Sequence, residues 1–316
     1  MTMSRQELKN AKGEWDPWDF MDELIDSFGI GVLSVLGDLY YVDPSSGSDG
    51  NDGKSPSNAY ATMQTAIDAC TTDNGDVIVR MPGGETVSSA ITFDKSGITV
   101  IRGCFGGDPH EVGEKFSTYQ AASYTTGPPA IITAPCSIIG LEFVTRRTAA
   151  HVYPDDTCAQ SSAALAVCGH GGSFNGGFGL IKNCRFTDWW GNPYGIEFAA
   201  GAYWKVEGCT FESLDAGILF RATTTHNPDK FRIWRNRFVG CTDGIQVLNG
   251  LGSPHDLDIY DNVFIDTPTG IDTSGGQGDG FVRGNWFEVA NTSAYDDTVA
   301  NLQAQSWNFA GNHYTE

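Results

Sequence analysis

Carboxylate side chains recur at corresponding places in the second half of the chain, where they could cleave a glycan. Asp215 and Asp243 lie just before a Gly-Ile pair, and Glu197 and Asp272 directly follow one. Hydrolysis of a glycosidic bond uses two carboxyl groups about 5–10 Å apart, one on each side of the bond. Asp215, Asp243 and Glu197 are therefore candidate catalytic residues, provided that the fold brings two of them together.

Arg221 is the fourth catalytic candidate, because cleavage by elimination needs a base such as Arg or Lys. It follows the stretch GILF and could face a groove together with Glu197 and Gln246. The alternative, which we favour, is that Arg221 forms a surface ion pair. Asp215 and Asp243 also have a second interpretation, since Asp close to Gly commonly forms turns.

Aromatic residues in a long turn are candidates for sugar binding. The stretch DWWGNPYG contains Trp189, Trp190 and Tyr194. Exposed aromatic rings can pack against the faces of sugar rings. The alternative is that one of the two Trp side chains covers the edge of the core. Gln246 and Asp272 complete the set of candidate glycan-binding residues.

A repeat of 23 to 27 residues positions these candidates. Each unit ends in an aromatic residue, with an apolar residue five positions earlier and Cys or Asn two positions earlier. The terminal aromatic residues are Phe186, Phe211, Phe238, Phe264, Phe287 and Tyr314. The residues two positions before them are Cys184, Cys209, Asn236, Asn262, Asn285 and Asn312.

The repeat predicts an all-β fold, a right-handed parallel β-helix (a solenoid) over residues 39–316. Units of two or three short strands bury an apolar face only by stacking, which places like residues on like residues. The aromatic and Ile/Val columns then face inward, and the Asn column forms a hydrogen-bonded ladder at a turn. A β-sandwich is the alternative, but its strands recur every 8–12 residues or so without a longer period.

Stacking also predicts which carboxylates approach one another, because neighbouring strands lie about 4.8 Å apart. Asp215 and Asp243 fall in adjacent coils, at a separation of about 5 Å. Glu197 and Asp272 fall three coils apart, at about 14 Å, which is too far for a catalytic pair.

The segment before the first regular coil predicts a helix. Apolar residues within 61–71 share one helical face, which suits a helix that caps the open N-terminal end of the solenoid. Further along the chain, residues 104–129 and 145–178 interrupt the coils and are predicted as loop insertions on one face.

The stretch GSDGNDG has the acidic and glycine spacing of a calcium loop. A full loop that starts at Asp49 would need Glu at its twelfth position, where Tyr60 stands. Asp and Gly are sufficiently explained here as turn formers. We therefore predict no metal site, and no pattern in the sequence points to a cofactor.

One stretch resembles the N-terminal segment of pectin-lyase-fold proteins: YYVDPSSGSDGNDGKSPSNAYATMQTAIDAC, followed by GDVIVRMPGG. Together with the repeats, the resemblance covers residues 40–316 and implies a right-handed parallel β-helix. The family contains polysaccharide lyases, glycoside hydrolases, and phage tail-spike and other virion-surface proteins. Its pectate lyases carry an acidic calcium cluster with a nearby Arg, a motif that this sequence does not match.

Residues 1–38 lie outside the repeat and are predicted as a short helical arm. Virion β-helix proteins resemble this layout, with an arm on the particle and a solenoid that faces outward. Trp15, Trp18, Phe20 and Phe28 are the candidate attachment residues, because aromatic side chains carry much of the energy of interfaces. The alternative is that the arm packs along the flank of the β-helix.

The composition argues against several classes of function. The chain has 19 basic and 39 acidic residues, a net charge of -20, which disfavours nucleic acids and anionic membrane surfaces as partners. No apolar run is long enough to span a membrane, and residues 1–12 are too polar for a signal peptide. The eight cysteines form no CxxC pair, so we expect reduced thiols and no zinc site.

These observations favour a structural surface protein of a bacteriophage virion that binds host-surface glycans. It would be a spike, fibre or capsid-associated protein, assembled in the host cytoplasm, with the arm against other virion proteins. The resemblance to virion members also implies a homo-oligomer, by analogy a trimer. The alternative is a polysaccharide lyase or glycoside hydrolase that acts on an acidic or bacterial surface polysaccharide.

Overall fold

The computed structural model describes ten segments of the chain. They are residues 37–102, 117–121, 128–145, 161–168, 178–188, 194–221, 228–248, 254–273, 279–288 and 307–315. Within them, 26 strands, numbered β1 to β26 in chain order, form three sheets. Neighbouring strands are parallel and come from successive coils, so the predicted all-β parallel β-helix is confirmed.

Each sheet runs along one side of the β-helix. The ten-stranded sheet contains β1 (Leu39–Val42), β2 (Val77–Arg80), β5 (Thr99–Arg102), β8 (Ser137–Ile139), β11 (Gly179–Lys182), β14 (Trp204–Glu207), β17 (Arg232–Trp234), β20 (Leu257–Tyr260), β23 (Gly280–Arg283) and β25 (Trp307–Ala310). The nine-stranded sheet contains β3 (Gly83–Val87), β6 (Ser117–Ala121), β9 (Leu141–Thr145), β12 (Arg185–Asp188), β15 (Thr210–Glu212), β18 (Arg237–Val239), β21 (Val263–Ile265), β24 (Trp286–Glu288) and β26 (His313–Thr315). The seven-stranded sheet contains β4 (Ile91–Phe93), β7 (Ala130–Ile132), β10 (Leu165–Val167), β13 (Tyr194–Phe198), β16 (Ala216–Arg221), β19 (Asp243–Leu248) and β22 (Thr269–Asp272).

The aromatic column of the repeat forms the centre of the core. Six buried Phe rings stack with centroid separations of 4.7 to 5.4 Å, and they belong to Phe143, Phe186, Phe211, Phe238, Phe264 and Phe287. The predicted inward Ile/Val column is also fully buried. Burial of these apolar columns, which no single coil achieves alone, fixes the register between coils.

The Asn column forms the predicted ladder. The side-chain amide of Asn236 donates to the Oδ1 of Asn262 at 3.0 Å, and Asn262 donates in the same way to Asn285. Asn285 then donates to Asn312, also at 3.0 Å. Each amide therefore satisfies a buried polar group of the neighbouring coil.

A short helix, α1 (Met63–Ala69), precedes the coils, together with a 3₁₀ turn at Pro56–Asn58. The helix is shorter than the predicted 61–71, because it begins after the N-cap residue Thr62 and ends before Cys70. Its buried side chains join the main core, and it contacts the strands β1, β2 and β4. Its role as a cap stays a prediction.

The GSDGNDG stretch is tied to the start of this helix. Asp49 Oδ1 accepts hydrogen bonds from the backbone N–H groups of Ala61 and Thr62, at 3.0 and 2.9 Å. The Thr62 hydroxyl donates to the same carboxylate. Asp49 thus holds the turn against the helix N-terminus, as expected for a turn-forming residue.

Several expectations need correction or lie outside the described residues. The segments predicted as insertions, 104–129 and 145–178, contain the coil strands β6 and β10. Cys168 is disulfide-bonded, which contradicts the expectation of reduced thiols, whereas the other five described cysteines are free and buried.

The arm, including Trp15, Trp18, Phe20 and Phe28, lies outside the described residues. In the described segments, no helix has the length and apolarity needed to cross a membrane.

Candidate functional site

The candidate site lies on the outer face of the seven-stranded sheet, on the neighbouring strands β19 and β22. In their register Asp243 is opposite Thr269 and Gln246 is opposite Asp272. Gly244 and Ile245, between Asp243 and Gln246, both face the core: Ile245 is fully buried, and a Cβ on Gly244 would meet the Phe264 ring. Because two successive residues face the core, the usual in–out alternation of strand side chains is interrupted here. The side chains on either side, Asp243 and Gln246, therefore both face outward.

One amide links two carboxylates at this site. Gln246 Nε2 donates to Asp243 Oδ2 at 2.9 Å and lies 3.5 Å from Asp272 Oδ2. The two carboxylate oxygens are therefore no more than 6.4 Å apart, the sum of those distances. This separation is compatible with a pair of carboxyl groups that act on one glycosidic bond.

The Asp243 carboxyl has a strongly perturbed proton affinity. Burial, followed by the nearby charges of Asp272 and Asp215, raises the pKa of Asp243 to about 6, against a hydrogen bond with Thr269 that lowers it. A carboxyl group with a pKa near 6 exchanges protons readily at neutral pH, as a general acid must.

Asp215 occupies the adjacent coil, as the repeat predicts. Its backbone carbonyl accepts from the N–H of Asp243 at 2.8 Å. The pKa of Asp215 is raised by burial and then by the charge of Asp188. Asp215 therefore acts on Asp243 through its charge, whereas the hydrogen-bonded pair at this site is Asp243 and Asp272, joined by Gln246.

The predicted surface ion pair of Arg221 is buried, which corrects that expectation. Arg221 Nε donates to Glu197 Oε1 at 2.6 Å, with only 7% and 0% of the two side chains exposed. The hydroxyl of Ser161, from a segment 36 residues away in the chain, donates to the other carboxylate oxygen of Glu197. A guanidinium held in such a pair does not serve as the base in an elimination.

Glu197 lies too far from Asp272 to act with it, as the sequence indicates. In the strand register Glu197 is opposite Leu219, Leu219 is opposite Gln246, and Gln246 is opposite Asp272. Three inter-strand steps correspond to about 14 Å. Glu197 therefore belongs to the buried Arg221 cluster and not to the carboxylate pair.

The outer face opens where the pair lies. Ala216 and Leu219 are buried on β16, whereas Asp243, Gln246 and Asp272 are all partly exposed. Tyr194 begins β13 opposite Ala216 and is half-buried, while Trp189 and Trp190 lie outside the described residues. The site thus lies beside a buried strand, and its three polar side chains are partly accessible to solvent.

Thr269 is a site residue that sequence reasoning missed. It precedes Gly270-Ile271 just as Asp243 precedes Gly244-Ile245, so alignment of the repeat units contained the signal. Ser161 carried no such signal, because its contact with Glu197 joins distant parts of the chain. Among the described residues, no cluster of three or more His, Cys, Asp or Glu side chains could hold a metal ion.

Comparison with known proteins agrees with this architecture. Residues 133–295 match the family model described as "Right handed beta helix region", and no curated protein matches the chain. The solved structure of a rhamnogalacturonan lyase has a TM-score of 0.53 and 13% identity, over 80% of this chain and 69% of that one. Pectin methylesterase PemA from Erwinia chrysanthemi has a TM-score of 0.49 and 12% identity, over 87% of this chain and 89% of that one.

These solved structures are polysaccharide-acting enzymes, but at such identities the likeness shows the fold alone. The family match spans more than half of the chain and includes both strands of the candidate site. The chain therefore belongs to the right-handed β-helix family, which has a pectin-lyase-like fold.

Proposed function

We propose that this protein hydrolyses a glycosidic bond of a polysaccharide, with Asp243 as general acid and Asp272 as nucleophile. The observation that carries the proposal is the pair of carboxylates bridged by the Gln246 amide, at most 6.4 Å apart. Retaining glycosidases have carboxyl groups about 5–5.5 Å apart, whereas inverting enzymes need about 6.5–9.5 Å to admit a water. The bound applies to the two Oδ2 atoms, which lie closer than the inverting range, and we therefore propose retention with Asp272 as the attacking group.

The reaction follows from the two roles. Protonated Asp243 donates its proton to the bridging oxygen while the Asp272 carboxylate attacks the anomeric carbon, so that the glycosidic bond breaks and an acyl-sugar ester forms. Ionised Asp243 then accepts a proton from water, which attacks the anomeric carbon and releases Asp272. Gln246 orients both carboxylates, and Thr269 holds Asp243 from the neighbouring strand.

Hydrolysis is favoured over elimination by the state of Arg221. Elimination needs a base at the sugar C5 proton, and the guanidinium that sequence reasoning offered for this role is buried against Glu197. The products distinguish the two reactions, because only elimination leaves an unsaturated sugar.

The test is a depolymerisation assay on a panel of plant and bacterial surface polysaccharides. We expect new reducing ends without unsaturated products, and a loss of about 10²-fold or more in the Asp243→Asn and Asp272→Asn variants. Asp215→Asn is the matched control: it removes a neighbouring carboxylate and retains the pair, so we expect it to shift the pH dependence of cleavage but not to lower the maximal rate. Cleavage that survives both substitutions, or a folded protein that cleaves nothing in the panel, would refute the assignment.

The virion-surface role is a second proposal, which rests on the aromatic pattern of residues 1–38 and on the outward-facing glycan site. A β-helix that cleaves a host-surface glycan is compatible with mounting on a phage particle. The tail-spike subtype, the trimer and the virion location all stay predictions. We expect the full chain to bind purified virion proteins and to lose this binding when residues 1–38 are deleted. Equal binding without the arm would contradict the proposal.

A further inference from the structure

The carboxylate pair lies in a strongly acidic stretch of the chain. Between Arg237 and Arg283 the sequence contains seven Asp residues and no Lys, Arg or Glu. This stretch includes β19 and β22, which carry Asp243 and Asp272, and every residue that connects the two strands. The coil segments that build the site therefore contribute negative charge and no Lys or Arg.

The neighbouring side chains add to this negative charge. After burial, the charges of Asp272 and Asp215 are the causes that raise the pKa of Asp243. Such an effect requires like charges that lie close together. Arg221 is the only Lys or Arg on the described strands of the seven-stranded sheet, and it pairs with the buried Glu197. An anionic ligand at the site would therefore meet carboxylates first.

The polar atoms that remain for a ligand are mainly hydrogen-bond acceptors. Gln246 Nε2 is directed at Asp243 and Asp272, and Thr269 forms its side-chain hydrogen bond with Asp243. The carboxylate oxygens and the Gln246 Oε1 are acceptors. A sugar hydroxyl can donate to these atoms, whereas an ionised uronate carboxylate can only accept.

We propose that this site takes a neutral glycan, whose sugars carry no carboxylate or sulfate next to the bond that is cleaved. The inference rests on the proposed hydrolysis and deepens it by naming the substrate class. An acidic sugar would place its charge beside Asp272 and Asp215, and like charges set against each other at a binding site oppose association.

The test compares neutral polysaccharides with acidic forms of themselves. Amylose, laminarin, a galactan and a mannan are each supplied beside the same polymer oxidised at C6 to the uronate, which keeps the backbone and the linkage. We expect the protein to cleave at least one neutral polymer, and to cleave its oxidised form about tenfold more slowly at about 20 mM salt. Because salt screens the repulsion, this difference should narrow at about 500 mM salt.

Leu248→Lys tests the electrostatic cause within the chain. Leu248 is partly exposed and is the next outward position after Gln246 on β19, because Val247 between them is fully buried. A Lys there begins about 7 Å from Gln246 along the strand. We expect it to raise cleavage of the oxidised polymer about fivefold over the matched Leu248→Gln control. Both variants should cleave the neutral polymer at equal rates.

Binding to the Asp243→Asn variant separates the substrate class from the reaction. The variant retains Asp215 and Asp272 and has the charge of the protonated acid. We expect it to bind the neutral polymer about tenfold more tightly than the oxidised one at low salt. If that preference is found but the unsubstituted protein cleaves nothing, hydrolysis is refuted and the substrate class is supported.

Three outcomes would overturn the inference. Equal or faster cleavage of the oxidised polymers would show that the site accepts acidic sugars, although hydrolysis would stand. The methyl ester of the oxidised polymer is neutral and should regain cleavage; a methyl ester cleaved as slowly as the uronate would show that the site responds to the shape at C6 and not to charge. A protein that neither binds nor cleaves any neutral polymer in the panel would overturn both proposals.

Discussion

At the scale of single residues, Asp243 controls the pH dependence of the proposed reaction. A general acid must be protonated, and the pKa of Asp243 is about 6. We expect kcat/KM to fall about tenfold per pH unit above that value. Asp215→Asn should shift this fall in kcat/KM to lower pH, because the charge of Asp215 is one of the causes that raise the pKa of Asp243. A pH–rate profile of the unsubstituted protein and of the variant measures the shift. An unchanged profile would contradict an effect of the Asp215 charge on the pKa of Asp243.

The same carboxyl should reduce stability at neutral pH. The folded pKa of about 6 lies above the ordinary 3.8, so the folded protein holds this proton more tightly than the unfolded chain does. The resulting stabilisation is complete below about pH 4 and is lost as pH rises through 6.

Asp243→Asn should therefore stabilise the protein at pH 7.5 by about 1 kcal/mol, a figure reduced for the partial exposure of the side chain. At pH 3.5, where Asp243 is protonated, the variant should show no gain. Thermal unfolding at both pH values measures this, with the exposed Asp52→Asn as the control. A variant that is destabilised at both pH values would show that the carboxylate is a structural group.

The repeat in the sequence predicted which coils carry the candidate residues, but not the contacts between their side chains. Asp243, Asp272 and Gln246 follow from the repeat, but the bridge between them depends on the outward turn around Gly244, which periodicity alone does not describe. Arg221 was expected at the surface. Its burial involves Ser161, and no local pattern reports a contact between segments so distant in the chain.

At the scale of strands and coils, the Gly-Ile repeat has a steric cause. A Cβ on Gly244 would lie 2.4 Å from the ring of Phe264, and Gly217 and Gly270 face Phe238 and Phe287 in the same way. The Phe column therefore requires glycine on the facing strand. This explains why both columns recur together in the sequence and why the coil register was predictable from them.

Gly244→Ala should consequently destabilise the protein by about 1–3 kcal/mol, the usual effect of an added group in a packed core. It should also lower activity, because the same turn positions Asp243 and Gln246. Gly84→Ala is the control, since a Cβ there meets no atom within 4 Å. Denaturant unfolding measures the free energy of unfolding of both variants. Equal values would show that the stacked Phe rings shift to make room for the added methyl group.

At the scale of the whole molecule, the net charge should lower stability at low salt. With a net charge of -20, the folded chain repels itself, and salt screens that repulsion. Raising sodium chloride from about 20 to about 200 mM should increase Tm by about 2–4 °C. Thermal scans in one salt series measure this trend. A Tm that falls with salt would mean that ion pairs such as Arg185 with Glu142 and Glu212 outweigh the repulsion across the molecule.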